Sequence, residues 1–336
     1  MSKIIFWVFL ITSSLVLSAC GGAASQNDTL TIYSGRSESL VAPLIDQFET
    51  DTGIEVEVRF GSTSEIAATL LEEGENSPAD VFFAQDPGGL GAVADAGLLA
   101  ELPKVVLNKV DERFVDPDRQ WVGVSGRARV IAYHTETLTP ADLPADLQGF
   151  TDPVWKGRIG LPPTNASFQT MVTALRQVWG EDATREWLVG IMANEPVFYE
   201  SNTPTVAAVA SGEVEVGFVN HYYLYRFLAE EGESFSARNH FLSSGGPGSL
   251  VMVAGAGRIA SSEKEEAALS FINYLLSENA QEYFASETYE YPLVSGVSPT
   301  VDLTPLADLN AANIDLADLA DIQGTVQMLQ DAGMLP

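Results

Sequence analysis

Short apolar segments with strand character alternate with amphipathic helical segments along most of the chain, and this alternation limits its fold more than any other feature. Leu40, Leu44, Ile45 and Phe48, for example, recur at helical spacing on one face of segment 39–50. Strands that alternate with helices are typical of an α/β fold with parallel strands. We predict strands at 30–33, 54–60, 80–83, 130–133, 214–219 and 250–254, and helices at 39–50, 65–73, 87–96, 168–178, 184–192, 205–210, 222–231, 263–276 and 280–285, with a further amphipathic helix in the tail from Val301.

The turns between these strands and helices are rich in polar side chains. A chain of 336 residues suits two lobes better than one compact core. Open α/β sheets bind ligands at the carboxyl ends of their strands, where helix N-termini favour anions. Helix capping accounts for most Ser, Thr, Asn and Asp side chains in such turns, but not for Arg36 or for adjacent tyrosines. The polar turns lie at residues 34–39, 85–86, 163–167, 201–202 and 220–223.

Tyr222 and Tyr223 are two adjacent phenols at the start of a predicted helix. A free tyrosine has a pKa near 10, so it binds only a cation acidic enough to displace its proton. Hard, highly charged cations prefer oxygen ligands, and ferric iron is the biological metal that best matches paired tyrosines. The alternative is that the two rings stack on a small organic ligand, and both interpretations stay open from the chemistry alone.

The N-terminus has the organisation of a secretory signal peptide. Lys3 precedes an almost unbroken apolar stretch at 4–17, which ends in Leu-Ser-Ala-Cys at 17–20. This ending resembles a bacterial lipobox, so we predict a signal peptide at 1–19, lipidation of Cys20 and a small-residue tether at 20–28. A plain transmembrane anchor is the alternative, but the stretch is shorter than the ~20 residues that a spanning helix needs.

Charge and composition exclude several functions. Acidic residues outnumber basic ones by 46 to 17, which argues against nucleic acid or anionic lipid as a partner. Cys20 is the only cysteine, so an internal disulfide or a thiolate metal site is excluded. There is no Gly-x-Ser-x-Gly, His-Glu-x-x-His or P-loop motif, and the three histidines are scattered, so we predict a binding protein and not an enzyme.

The chain resembles the ferric-iron-binding proteins of bacterial ABC importers, within the periplasmic binding proteins. The segments that carry the resemblance are LTIYSGR at 30–36, SPADVFF at 77–83, SGRARV at 125–130, WKGRIG at 155–160, NHYY at 220–223 and EYPL at 290–293. The resemblance implies a two-lobed α/β fold of the type II class, a hinged cleft that closes on iron, and an exogenous anion such as carbonate or phosphate. It also implies a monomeric, lipid-anchored, extracytoplasmic carrier that delivers ferric iron to an ABC permease. We predict lobe 1 at 29–129 and 253–302, and lobe 2 at 130–252 and 303–336.

The resemblance also assigns roles to individual residues. Tyr222 and Tyr223 match the metal-binding tyrosine pair. Tyr199 is the outside candidate for a third ligand and, with Gln85 and Asp86, a candidate for the cleft wall. The expected anion-binding residues are Ser37, Arg127, Asn165, Ala166, Ser167, Asn202 and Asn220. Arg36 has no counterpart in the family pattern and is added to them because its turn is expected to face the same cleft.

Three positions depart from the family pattern. Ser37 stands where some members have a histidine ligand, Gln85 where they have a glutamate ligand, and Phe168 where others have a third tyrosine. The protein is therefore expected to supply only Tyr222 and Tyr223, with anions completing the coordination of iron. The same departures favour the alternative that this fold binds a small anion or organic ligand, such as a phosphonate, between aromatic walls.

Overall fold

The computed structural model describes residues 29–306, 308–309 and 314–336. The predicted signal peptide and the whole predicted tether at 20–28, including Cys20, lie outside these described residues. Within the described part, no helix combines the length and the apolar content needed to cross a bilayer.

Strands and helices alternate as the sequence predicts, and the structure also has short strands and a short helix that the sequence analysis does not predict. The strands are β1 (Leu30–Ser34), β2 (Val56–Phe60), β3 (Val81–Ala84), β4 (Leu99–Ala100), β5 (Trp121–His134), β6 (Ile159–Leu161), β7 (Val197–Phe198), β8 (Val216–Asn220), β9 (Ala237–His240), β10 (Val251–Ile259) and β11 (Tyr291–Pro292). The helices are α1 (Glu38–Thr52), α2 (Thr63–Glu73), α3 (Pro87–Asp95), α4 (Lys104–Leu107), α5 (Ala166–Trp179), α6 (Glu181–Ala193), α7 (Asn202–Ala210), α8 (Tyr222–Glu231), α9 (Glu265–Leu275), α10 (Glu278–Ser286) and α11 (Ile322–Asp331).

The sheet is mixed, and one long strand joins its two halves. In the first half β1 pairs in parallel with β2 and β3, and β10 runs antiparallel to β3. In the second half β6 pairs in parallel with β7 and β8. Strand β5 pairs antiparallel with β10 through Trp121–Ala128 and with β8 through Arg129–Tyr133. The α/β fold with parallel strands is therefore confirmed, and β5 and β10 are strands of the same sheet that run antiparallel to their neighbours.

Helix α1 shows how the apolar pattern fixes the packing. Its predicted face is buried, and Phe48 meets Phe271 of α9 edge-to-face at 5.1 Å between ring centroids. Burying such a side chain contributes roughly 1.5–3 kcal/mol. The helix ends at Gly53, whose φ of 73° lies in the left-handed region that favours glycine.

Apolar clusters cover each half of the sheet. Phe48 and Phe83 belong to one cluster of the first half, and Leu90 and Trp121 belong to another. In the second half, Phe168 lies in a cluster of aromatic residues, and a separate cluster contains Val130, Val206 and Val219. Each half of the sheet therefore has its own packed core, and β5 joins the two halves.

The tail differs from its prediction. Residues 302–305 form no helix, and Leu316–Ala320 form a short 3-10 helix. Leu316 and Leu319 pack in the cluster of Leu90, which belongs to the first lobe. Helix α11 packs in the second lobe through Met328 and Leu329, and Met334 after the helix belongs to the same cluster. The tail therefore contributes apolar side chains to the cores of both lobes. The prediction, in contrast, assigns all of 303–336 to lobe 2.

Candidate metal and anion site

Polar turns converge where β8 ends. Asn220 closes β8 and stands opposite Arg129 in the register of the β5–β8 pair. Helix α8 begins two residues later with Tyr222. The first turns of α5 and α7 contribute Ser167 and Asn202 to the same place. Three helix N-termini thus surround one buried arginine.

Arg129 is the centre of this cluster. Its Nη1 donates to Ser167 Oγ at 3.3 Å, Asn202 Oδ1 at 3.5 Å and Asn220 Oδ1 at 3.0 Å. Only 1% of the residue is exposed, and its Nε and Nη2 have no hydrogen-bond partner in the described part of the chain. Burial lowers the pKa of Arg129 to about 9, so the guanidinium still carries its charge at neutral pH. A buried cation with two free N–H groups is a ready anion-binding group.

Asparagine side chains hold the surrounding helix starts together. Asn165 caps α5, and its Oδ1 accepts from the Ser167 N–H at 3.1 Å. The Asn202 Nδ2 donates to the same oxygen at 3.0 Å, and the Asn202 Oδ1 accepts from the Asn220 N–H at 3.2 Å. Ala166 is the first residue of α5 and is exposed. The structure therefore brings together the five predicted residues of the second lobe, whose anion-binding role stays a prediction.

Tyr222 and Tyr223 stack on each other at the start of α8. Their ring centroids lie 4.3 Å apart and their planes differ by 28°. Tyr222 is buried and Tyr223 is half-buried. Burial, together with the neighbouring Tyr223, raises the pKa of Tyr222, so this phenol stays protonated at neutral pH until a cation displaces its proton. Both tyrosines interact electrostatically with Arg129 and with Arg36, so the phenols lie in the field of both guanidinium groups.

Arg36 and Arg127 lie around one buried carboxylate. Arg36 makes a two-fold hydrogen bond to Glu290, at 2.9 and 2.8 Å, and both side chains are fully buried. Arg127 Nε lies 3.9 Å from Glu290 Oε1, and Arg127 Nη2 donates to the Gln85 carbonyl. Burial opposes ionisation of Glu290, but the charge and hydrogen bonds of Arg36 outweigh it and lower its pKa. The structure thus places Arg36 in an internal ion pair with Glu290, and Arg36 also interacts electrostatically with Tyr222 and Tyr223.

Four further predicted site residues make no hydrogen bond to Arg129: the cleft candidates Gln85, Asp86 and Tyr199, and the anion-binding candidate Ser37. Gln85 keeps a buried Oε1 with no partner among the described residues, and its neighbour Asp86 caps α3. Burial raises the pKa of Asp86, and the nearby Arg127 opposes this shift. Ser37 is exposed at the start of α1. Tyr199 packs against Gly160, and its phenol faces Glu213 and not Arg129.

The described part of the chain offers few other ligands for a metal. Phe168 is fully buried in the second-lobe core. In the described residues, no group of three or more His, Cys, Asp and Glu side chains is placed to hold a metal ion. A metal at this site would depend on the two phenols and on ligands from solution.

Both ring nitrogens of His221 make hydrogen bonds to the backbone, although His221 adjoins the tyrosine pair. Its Nδ1 accepts from the Ala128 N–H at 3.1 Å, so Nε2 carries the proton, which it donates to the Tyr289 carbonyl at 2.9 Å. Neither ring nitrogen has a lone pair left for a metal. Burial lowers the pKa of His221 to about 4, because the charged imidazolium would lose its contact with solvent.

The low pKa of His221 predicts that the protein loses stability in acid. An unfolded histidine has a pKa of about 6.5, so the unfolded chain takes up the proton first as the pH falls. The contribution of His221 to the free energy of unfolding is therefore complete above pH ~6.5. It falls by about 3 kcal/mol as the pH drops to ~4. We expect urea unfolding of the metal-free protein to show this loss, and His221→Gln to reduce it while keeping one acceptor and one donor. An equal acid dependence in both proteins would contradict the assignment.

Arg129 is the residue of this site that the sequence analysis missed. The segment SGRAR contains two arginines that share one face of β5, since side chains two apart on a strand point the same way. The family resemblance pointed to Arg127, and only the register of β5 with β8 identifies Arg129 as the partner of Asn220.

Comparisons with known proteins show the family to which the chain belongs. The family model described as bacterial extracellular solute-binding protein matches residues 76–320. The Fe(3+)-binding periplasmic protein of Serratia marcescens is 34% identical over 330 residues, which cover 98% of this chain and 97% of that protein. The crystal structure of iron-bound HitA from Pseudomonas aeruginosa has a TM-score of 0.85 at 34% identity, covering 91% of this chain and 99% of that chain.

A third comparison concerns a protein that holds an organic anion. The Trichodesmium protein IdiA (FutA), in complex with iron and citrate, has a TM-score of 0.77 at 27% identity and covers 91% of this chain and 99% of that chain. The predicted two-lobed periplasmic-binding-protein fold is confirmed by these structures. By its family match and its full-length relatives, the chain belongs to the bacterial extracellular solute-binding proteins.

Proposed function

We propose that this protein captures ferric iron together with an exogenous anion and delivers the iron to an ABC permease. The observation that carries the proposal is the stacked pair Tyr222 and Tyr223 beside Arg129, a buried cation with two free N–H groups. Two phenolates match a hard trivalent cation, and the arginine matches an anion that shares the metal. The names of the Serratia and Pseudomonas relatives, which are iron-binding, support this assignment.

The anion would occupy the cluster around Arg129. Its guanidinium and the helix N-termini of Asn165, Ser167 and Asn202 offer donors to oxygen atoms. Carbonate and phosphate both fit a small site of this kind, and the citrate bound by the Trichodesmium protein adds a third candidate. In this proposal Arg127 and Arg36, which share Glu290, support the cluster from the first-lobe side.

Anion-dependent iron binding is the experiment that tests this function. We expect ferric iron added as the nitrilotriacetate complex to produce a visible tyrosinate-to-iron absorption band, strengthened by bicarbonate, phosphate or citrate. Arg129→Gln should reduce this anion effect about tenfold or more, because it removes the buried charge that faces the anion.

The matched control is Arg185→Gln, which changes a half-exposed arginine of α6 and should behave like the wild-type protein. An anion effect of unchanged size in Arg129→Gln would contradict the anion site. A wild-type protein that stays colourless with every anion would contradict the ferric function.

The alternative ligand is a small organic anion bound without metal. It is favoured by one observation, the absence of the additional family ligands at Ser37, Gln85 and Phe168. Calorimetry of the metal-free protein with a phosphonate separates the two cases. Tight phosphonate binding, with no colour from iron, would favour the organic ligand.

The remaining features of the proposal concern the place of action. Cys20 would carry the lipid anchor, and the monomeric carrier would act outside the cytoplasm beside its permease. Tethering raises the effective concentration of the carrier at the permease without any additional contact. The protein would transfer its cargo unchanged and would not act as an enzyme.

A further inference from the structure

Arg226 lies one turn into α8, over the rings of both tyrosines. Its guanidinium carbon is 5.7 Å from the ring centroid of Tyr222 and 5.9 Å from that of Tyr223. The spacing explains this position, since residues three and four apart share one face of a helix. Long helical side chains also lean toward the N-terminus, which directs Arg226 back over the pair.

Among the residues that the structure describes, no carboxylate pairs with Arg226, which is unusual for an arginine of this protein. Acidic residues outnumber basic ones by 46 to 17, and most arginines in the described part of the chain lie within 4 Å of a carboxylate oxygen. In that part, only Arg129 and Arg226 make no such ion pair. Both of these unpaired arginines lie beside Tyr222 and Tyr223. Among the described lysines, Lys104 and Lys109 also lack a carboxylate oxygen within 4 Å, so the tyrosine pair has both of the unpaired arginines but not all of the unpaired positive charge.

We propose that Arg226 is a positioning residue of the iron site, which holds the two rings in their stack and places a positive charge over them. This inference rests on the proposed ferric function. A ferric ion with two phenolates and a doubly charged anion has a net negative charge, so a cation over the rings stabilises the loaded site. In the empty site the same guanidinium makes cation–π contacts with the neutral phenols, which keeps the rings in place before iron arrives.

The charge of Arg226 should be visible in the absorption band of the iron complex. The band arises when an electron moves from a phenolate ring to iron, and a cation over the ring lowers the energy of the donor electrons. Removal of the cation therefore moves the band to longer wavelength. A residue that merely stabilised helix α8 would have no such effect on the band maximum.

The experiment compares Arg226→Met and Arg226→Lys with the wild-type protein, each titrated with ferric nitrilotriacetate in bicarbonate buffer. Arg226→Met keeps the length of the side chain without its charge, and we expect about tenfold weaker iron binding and a band at longer wavelength. Arg226→Lys retains the charge and should restore much of both properties. Arg113→Met is the matched control, because Arg113 also lies over an aromatic ring, that of Phe114, outside the site.

The outcomes separate this inference from the function on which it rests. A coloured wild-type protein whose band maximum is unchanged in Arg226→Met would overturn the role of Arg226 alone, even if the affinity fell. A colourless wild-type protein would overturn both. A band that shifts in Arg226→Met, stays in place in Arg113→Met and returns toward the wild-type position in Arg226→Lys would support the proposed role.

Discussion

Tyr223→Phe and Tyr222→Phe are each expected to abolish the visible band of the iron-loaded protein or reduce it to a small remainder. Iron affinity should fall by more than about 100-fold in each variant, since each change removes one of two protein oxygen ligands. The ring itself is kept, so the stack with its neighbour, 4.3 Å between centroids, should persist. Folding stability is expected to stay within about 1 kcal/mol of the wild-type value.

Tyr225→Phe is the matched control for these two variants. Tyr225 lies on the same helix, and its hydroxyl donates to the Asp302 carbonyl at 3.0 Å instead of facing Arg129. We expect this variant to keep both the band and the iron affinity. If Tyr222→Phe and Tyr223→Phe bound iron with wild-type colour and strength, the tyrosine pair would not be the metal site.

Glu290→Gln is the change with the largest expected effect on stability. Glu290 is the carboxylate partner of Arg36, and neither side chain is exposed. Removal of one partner leaves a buried charge uncompensated, which costs about 3–5 kcal/mol. Urea unfolding of the metal-free variant should show this loss, although glutamine has nearly the same shape as glutamate.

The control for this prediction is Glu233→Gln. Glu233 also pairs with an arginine, Arg238, at 2.8 Å, but its side chain is 88% exposed. Exposed ion pairs contribute only about 0–1 kcal/mol, so this variant should unfold almost like the wild-type protein. Equal small effects of the two substitutions would show that the buried pair is not a structural element of the first lobe.

The sequence predicts the elements whose pattern is local. Helix α1 is confirmed with its buried face, and α8 begins at Tyr222 as predicted. Strand β5 was predicted only at 130–133, because its earlier half is interrupted by Gly, Ser and Arg residues that no apolar pattern marks. That half is nevertheless buried throughout, since it crosses between the lobes with strands on both sides.

The same difference applies to the site, where features of adjacent residues can be predicted and contacts between residues far apart in the chain cannot. The tyrosine pair and the helix caps can be read from adjacent residues. The partner of Arg36 cannot, because Glu290 is 254 residues away in the chain. The choice between Arg127 and Arg129 likewise depends on the strand register, which places Arg129 opposite Asn220.

The most direct test of the ferric function is an anomalous-difference map at the iron absorption edge from crystals of the iron-loaded protein. We predict one strong peak at bonding distance from the hydroxyl oxygens of both Tyr222 and Tyr223, with density for an anion between the peak and Arg129. An iron peak elsewhere, or a peak at this place that bonds neither phenol, would contradict the proposal.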